Sequence, residues 1–267
     1  MAEPVRIGIV GAGDNTRVKH IPGFQAIDGV EIVSVCNRTR ESSQRVADQF
    51  GIPKVYGNWL ELVGADDTDA ICIGTWPYMH CPVTLAALEN DKHVLCEARM
   101  AMNADEAHRM LEASVERPHL VAQIVPSPFT LAVDATIKSL VKEGYLGQVL
   151  AIDMRASDEN FIDRESPLAW RQDQDLSGYN TLFMGIWYEA LIRWVGPATS
   201  VMAITTVNVP VRLSTDGEPT VVTVADHVDV ICRMAIGAQA RLRFSAVAGL
   251  APADEVWFHG SEGTLHL

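Results

Sequence analysis

The sequence predicts an α/β chain in two parts: an N-terminal parallel, doubly wound sheet, then an α+β domain with a mainly antiparallel, open sheet. Three observations predict it. Short strands apolar on both faces alternate with helix-period segments up to about Val125. That alternation stops at the Gly144 to Gly147 break, and long alternating, β-branched segments dominate from Thr199 onward.

The elements follow in order. Val5–Val10 is a strand, a helix starts near Asn15, 30–36 is a strand, and 39–50 is a helix ended by Gly51. A short run at Lys54 to Tyr56 and a helix over 58–63 lead to the strand 69–74 and the helix 81–90. The strand 93–98, the helix 103–116 and the strand 119–125 complete the first pattern. A helix from Pro128 to Lys142 precedes the strand 148–156, a polar loop from Ser157 to Gly178 and an apolar helix from Asn180 to Val195. The segments 199–209, 220–234, 238–248 and 255–260 read as antiparallel strands, with turns at Asp216-Gly217 and Ile236-Gly237. The domains are accordingly placed at 1–122 and 123–267.

Composition narrows the class. The 267 residues carry 34 Asp+Glu against 21 Lys+Arg, a net charge of −13, which disfavours nucleic acid as a partner. No window reaches the roughly eighteen apolar residues of a membrane span, and no secretory leader is visible. The five cysteines are scattered without a C-x-x-C pair, so neither a disulfide framework nor a metal site is expected, and a cytoplasmic location is.

The strand Val5–Val10 runs into Gly11-Ala12-Gly13-Asp14-Asn15-Thr16 at the start of a helix, the context of a dinucleotide diphosphate. Gly11 permits the tight turn, and Gly13 lets phosphate approach the backbone. Thr16 replaces the third glycine of the G-x-G-x-x-G pattern. The second strand ends at Cys36-Asn37-Arg38, where an acid usually receives the adenosine ribose. With that acid missing, Arg38 is expected to pair with a 2′-phosphate, which favours NADP, with NAD as the alternative.

Together with VRIGIVGAG, the stretches ICIGTWPYMHCPVTLAALENDKHVLCEA, KEGYLGQVLAIDMR, LAWRQDQDLSG, IRWVGP and HGSEGTLHL resemble the Gfo/Idh/MocA family of nicotinamide-dependent sugar and cyclitol oxidoreductases, over nearly the whole chain. The resemblance implies a Rossmann domain followed by an open-sheet domain often used for oligomer contacts, hence a homo-oligomer through the C-terminal sheet. It further implies that Thr75, Trp76, Pro77 and His80 line the dinucleotide. By the same resemblance, Glu97 stands for the Glu of the family's Glu-Lys-Pro motif near the nicotinamide ribose, Gln123 is expected to contact the cofactor, and Trp170-Arg171 matches a pair that reaches toward it. Taken singly, His80 also fits a helix start, Glu97 a cap and Trp170 a core position. The chain ends at His266-Leu267, soon after a Gly260 to Thr264 turn that family members continue beyond, so a shortened second domain is expected.

The departures concern catalysis. Glu-Lys-Pro reads Glu97-Ala98-Arg99, and the family's Asp-x-Gly-x-His segment reads Phe183-Met184-Gly185-Ile186-Trp187. A missing general base leaves about 10²- to 10⁴-fold of rate unassisted, or about 3 to 5 kcal/mol of barrier. Tyr179 and His80 are the substitute proton carriers to test, and Tyr188 and Trp187 are read as core. The leading function is an NAD(P)-dependent oxidoreductase acting on a sugar, cyclitol or related polyol or carbonyl. The alternatives are a dinucleotide-binding protein that has lost its chemistry, and an isomerase or lyase using tightly bound NAD.

Overall fold

The computed structural model describes residues 3–126, 130–158, 161–181 and 183–267. They form two compact units: one runs to Pro126 and takes in Asp175–Gly178, and the other holds the remainder.

The first unit is built on β1 (Val5–Val10), β2 (Val30–Cys36), β3 (Lys54–Val55), β4 (Ala70–Ile73), β5 (His93–Cys96) and β6 (Ala122–Ile124). All six are parallel, in the order β3-β2-β1-β4-β5-β6, the arrangement of a Rossmann domain. β6 straddles residue 123, where the sequence places the start of the second domain. Helices α1 (Ile21–Gln25) and α2 (Arg40–Phe50) share one core with Ile7, Ile9 and Val35. Helices α3 (Trp59–Val63), α4 (His80–Glu89) and α5 (Ala104–Glu116) share the other with Val10, Ile71 and Ile73. Strands with cores on both sides are the reason the sequence reads as continuous apolar runs here.

Local signals set the helix ends. The Thr39 hydroxyl accepts from the Ser42 N–H to open α2, and Gly51 closes it at φ +69°. Asn103 caps α5 by accepting from the Glu106 N–H, while Glu106 accepts from the Met102 N–H. The helix expected from Asn15 takes a different form: a π-helical turn over Thr16–His20, in which the Ile21 N–H donates to the Thr16 carbonyl, runs into α1. Pro22 sits at the start of α1 and has no N–H to contribute to a regular ladder.

Beyond Pro126 the chain forms α6 (Leu131–Lys142), β7 (Val149–Ser157), α7 (Gln174–Ser177), α8 (Met184–Val195), β8 (Ala198–Thr206), β9 (Val211–Leu213), β10 (Pro219–Val221), β11 (His227–Met234), β12 (Gln239–Ser245), β13 (Glu255–Gly260) and β14 (Thr264–His266), all in the second unit except α7, most of which belongs to the first. The expected helix start at Pro128 lies outside the described residues. The main sheet runs β14-β13-β7-β12-β11-β8 and is antiparallel except between β7 and β12. One of its faces packs on Ile137 of α6 and on Ala190, Leu191, Trp194 and Val195 of α8.

The segment 220–234, read as one strand, is two. β10 pairs with β9 around the expected Asp216-Gly217 turn, and the chain bends before β11 because Asp226 accepts hydrogen bonds from the Asn208 and Val209 N–H groups. The edge strand β8 carries no charged residue and stays exposed along nearly all its length, with Met202 73% exposed.

Candidate functional site

The strands β1, β4 and β5 end in step. Val10 pairs with Ile73 and Ile73 with Cys96, so Gly11, Gly74 and Glu97 emerge side by side at the carboxyl edge of the sheet. This is the edge at which parallel sheets of this order receive ligands. Gly11 adopts φ +82°, and a Cβ there would lie 2.8 Å from the Thr75 backbone nitrogen. The nearest atom to a Cβ on Gly13 would be the Gly74 carbonyl oxygen at 3.3 Å. The glycine turn is thus folded against the β4 loop, a packing that side chains at Gly11 would prevent.

Thr16, in place of the third glycine, is buried and its hydroxyl donates to the Gly11 carbonyl at 3.4 Å. The room it occupies comes from Gly74: a Cβ on Gly74 would fall 1.9 Å from Thr16 Oγ1. The glycine that permits close helix–strand approach has moved from the helix to the strand end.

Asn37 organises the turn. Its Oδ1 accepts from the Ala12 N–H at 2.7 Å and its Nδ2 donates to Ser42 Oγ at 3.0 Å. Arg38 is exposed, its guanidinium 6.0 Å from the Trp76 ring. Asp14 pairs with Arg17 at the surface.

Thr75 and Trp76 lead into Pro77, which opens a 3₁₀ turn over Pro77–Met79. The Thr75 hydroxyl is buried without a hydrogen-bond partner among the described residues. His80 is 0% exposed, with Nδ1 2.7 Å from the Arg99 carbonyl and Nε2 2.9 Å from that of Thr75. Burial pushes its pKa below the ordinary histidine value, against the two carbonyls that favour a proton. Each ring nitrogen faces a backbone carbonyl, with a neutral imidazole donating to one of the two, so the ring ties the β4 loop to the segment after β5, a geometry that does not favour the expected proton-carrier role.

Glu97 is the most heavily engaged carboxylate at this edge. Its Oε1 meets His20 Nε2 at 2.5 Å and also accepts from Asn15 Nδ2, while Oε2 accepts from the Ala98 N–H at 3.1 Å. Burial raises its pKa, but the bonds from His20 and Asn15 outweigh burial and hold it below the usual glutamate value. Ala98 is exposed, and Arg99 Nη1 donates to Ser177 Oγ at 3.2 Å. Gln123 on β6 is exposed.

In the second unit the Arg171 guanidinium lies 4.2 Å from the Trp170 ring centre, inside a 3₁₀ turn over Trp170–Gln172. Tyr179, the other expected proton carrier, is 74% exposed. Met184, Trp187 and Tyr188 pack on the core of the unit, and the Tyr188 oxygen accepts from the Ala198 N–H at 2.9 Å. Among the described residues, no group of three or more His, Cys, Asp or Glu side chains is placed to hold a metal ion.

Two family models match this chain: an oxidoreductase family with an NAD-binding Rossmann fold over residues 5–124, and the GFO/IDH/MocA C-terminal domain over residues 135–266. The chain belongs to the Gfo/Idh/MocA family. Relatives include dTDP-3,4-didehydro-2,6-dideoxy-alpha-D-glucose 3-reductase of Streptomyces violaceoruber, 30% identical over 68% of this chain and 52% of that protein. Another is 1,5-anhydro-D-fructose reductase of Ensifer adhaerens, 37% identical over 42% of this chain and 33% of that protein. The chain therefore spans about half or less of the curated relatives it matches. Among solved structures, levoglucosan dehydrogenase in complex with NADH and L-sorbose shares the fold, with a TM-score of 0.85 at 22% identity over 98% of this chain and 73% of that one.

Within this Gfo/Idh/MocA chain, Gly11, Gly13, Asn15, Thr16, Asn37, Thr75 and Glu97 converge on one sheet edge, while Gln123 is exposed on the outermost strand of the same sheet. Two participants escaped the sequence reading. Gly74 gave no signal because its partner Thr16 is remote in sequence. His20 had one available signal: it lies one residue before Ile21-Pro22, in a helical run that proline interrupts.

Proposed function

We propose that this chain binds a nicotinamide dinucleotide at the glycine turn and serves hydride transfer between it and a sugar, cyclitol or related polyol or carbonyl compound. The observation that carries this reading is the in-step ending of β1, β4 and β5, which gathers Gly11, Gly13, Thr75 and Glu97 at one edge. The residues present fit such a ligand. The cradle at Gly11 excludes a Cβ, the buried Thr75 hydroxyl beside it has no partner among the described residues, and the first turn of the helix leaves N–H donors without intrahelical acceptors. When bound, the dinucleotide supplies hydride exchange at its nicotinamide ring. The glycine turn would hold the diphosphate, Glu97 would accept from the nicotinamide-side ribose, and the Thr75-Trp76-Pro77 loop would border the ring. Trp170 and Arg171 are the second unit's candidates for ligand contact.

NADP is the favoured form, because Asn37 is committed to the turn and the exposed Arg38 remains beside it for a 2′-phosphate. NAD is the alternative that the family description favours. Titrating wild type and Arg38→Ala with NADPH and NADH tests the choice: selective loss of NADPH affinity supports it, and unchanged NADPH affinity removes it. Reduction of added NADP or NAD at 340 nm across a panel of sugars and polyols tests the reaction. The sugar-directed names of the reductases above guide that panel.

A second reading has its own support. Ala98 stands where the family lysine would be, and Trp187, at the family histidine position, packs on the core. Tight dinucleotide binding without turnover on any substrate would establish a non-catalytic binding protein. The five buried, unpaired cysteines fit a cytoplasmic setting, and no helix among the described residues is long and apolar enough to cross a membrane. The exposed Met202, Ile204 and Ile231 support self-association through the open sheet, which light scattering of wild type and Ile204→Asp would test.

A further inference from the structure

Glu97 is not left to find its own orientation. Its side chain is 13% exposed and meets a His20 side chain that is 14% exposed. His20 Nε2 and Asn15 Nδ2 both meet the same oxygen, Oε1, and both residues come from the segment that leaves the glycine turn. The ring is backed by Phe24, stacked at 6.2 Å between centroids, and the helical turn that carries it is anchored by buried Thr16 against Gly74. Oε2 receives only the Ala98 N–H among the described hydrogen bonds, whereas a carboxylate oxygen can accept two. One oxygen is therefore fixed by the protein, and the other keeps a lone pair for a ligand hydroxyl.

His20 lies at the end of the π-helical turn. The turn's Ile21-to-Thr16 bond widens the helix at the position of His20, and such widened turns recur at functional sites. A carboxylate held by a hydrogen-bonded partner loses little freedom on binding, so its contact with a ligand is pre-organised. We infer that His20 is a positioning residue, which acts through Glu97 on the nicotinamide-side ribose of a bound dinucleotide. The inference rests on the reading of the glycine turn as a dinucleotide site. It also links two neighbouring parts of that ligand, since one short segment shapes the diphosphate turn and sets the ribose acceptor.

The test uses three probes, NADPH, NADH and ADP, the last of which has a diphosphate but no nicotinamide-side ribose. Their affinities are measured by calorimetry on wild type, His20→Ala, His20→Gln, Glu97→Ala and the His20→Ala/Glu97→Ala double variant. The folded state of each is checked by thermal unfolding. His20→Ala is expected to weaken whichever reduced dinucleotide binds wild type by about tenfold, the effect of one charge-assisted hydrogen bond, and to leave ADP within about twofold. His20→Gln, whose amide can donate to the same oxygen, should recover most of the loss, and the double variant should bind no more weakly than Glu97→Ala. Equal weakening of ADP, full additivity with Glu97→Ala, or dinucleotide affinity unchanged in His20→Ala each overturns the inference. Wild type that binds none of the three probes instead removes the dinucleotide reading itself, and the inference with it.

Discussion

Thr16 and Gly74 share a single volume at the end of the first parallel strands: a Cβ on Gly74 would lie 1.9 Å from Thr16 Oγ1 and 2.4 Å from the Gly11 carbonyl oxygen. Gly74→Ala must push the glycine turn away from β4. It is expected to cost about 1–3 kcal/mol in denaturant unfolding and to abolish dinucleotide binding. Thr16→Ala in the same chain should recover only part of the stability, because the Gly11 carbonyl still obstructs the added methyl. Unaltered unfolding of Gly74→Ala would contradict this packing.

His80 links stability to pH. Burial lowers its folded pKa, so the unfolded chain takes up the proton more readily than the folded one. Stability should be complete above the unfolded value of about 6.5 and fall as pH drops from there toward the folded value. In His80→Gln this part of the profile should flatten, while stability at neutral pH falls by about 1–3 kcal/mol because the Thr75 and Arg99 carbonyls no longer share an imidazole. Chemical unfolding between neutral and mildly acidic pH reads both effects.

Asp69 governs a more acidic range. Arg6 donates to it from Nε at 3.0 Å, from Nη2 at 2.7 Å and from its backbone N–H at 2.8 Å. These bonds outweigh burial and hold the carboxyl at about 2, below its unfolded value of about 3.9. The stabilisation is present above the unfolded value and disappears as pH falls through the folded one. Asp69→Asn should show a shallower acid limb than wild type across that interval; parallel limbs would refute the assignment.

Arg212 supports the loop that leads to Trp170-Arg171. Buried on β9, it donates from Nη1 to the Ser166 carbonyl at 2.8 Å and from Nη2 to the Asp163 carbonyl at 2.9 Å. Arg212→Ala should lower stability by about 1–3 kcal/mol and open the loop around Asp163 to Ser166 to protease, with the main sheet still protected. Limited proteolysis with mass mapping would show whether cleavage moves there.

What could be read in advance was whatever has a local signature. The two-sided apolar strands announced a parallel sheet, and the turn at Gly11 to Thr16 sits between strand and helix as its glycines require. Relationships that cross the sequence could not be read. Thr16 breaks the glycine pattern, and nothing near it reveals that Gly74 compensates. His20 and Glu97 are separated by 77 positions, and neither carries a motif that names the other. The break in 220–234 depends on Asp226 reaching the Asn208 backbone, while alternation alone continues through it. His80 is singled out by residue type, and its burial between two carbonyls depends on Arg99, which is remote in sequence.

The main sheet of the second unit also constrains the order of its own assembly. Its inner strand β7 bonds to β12 on one side and β13 on the other, and neither neighbour begins before Gln239. During synthesis, Val149–Ser157 must leave the ribosome long before either partner exists, while β1 to β6 can already pair with one another. The nascent chain thus passes through an interval in which a strand with one apolar face waits unpaired, open to chaperones and proteases.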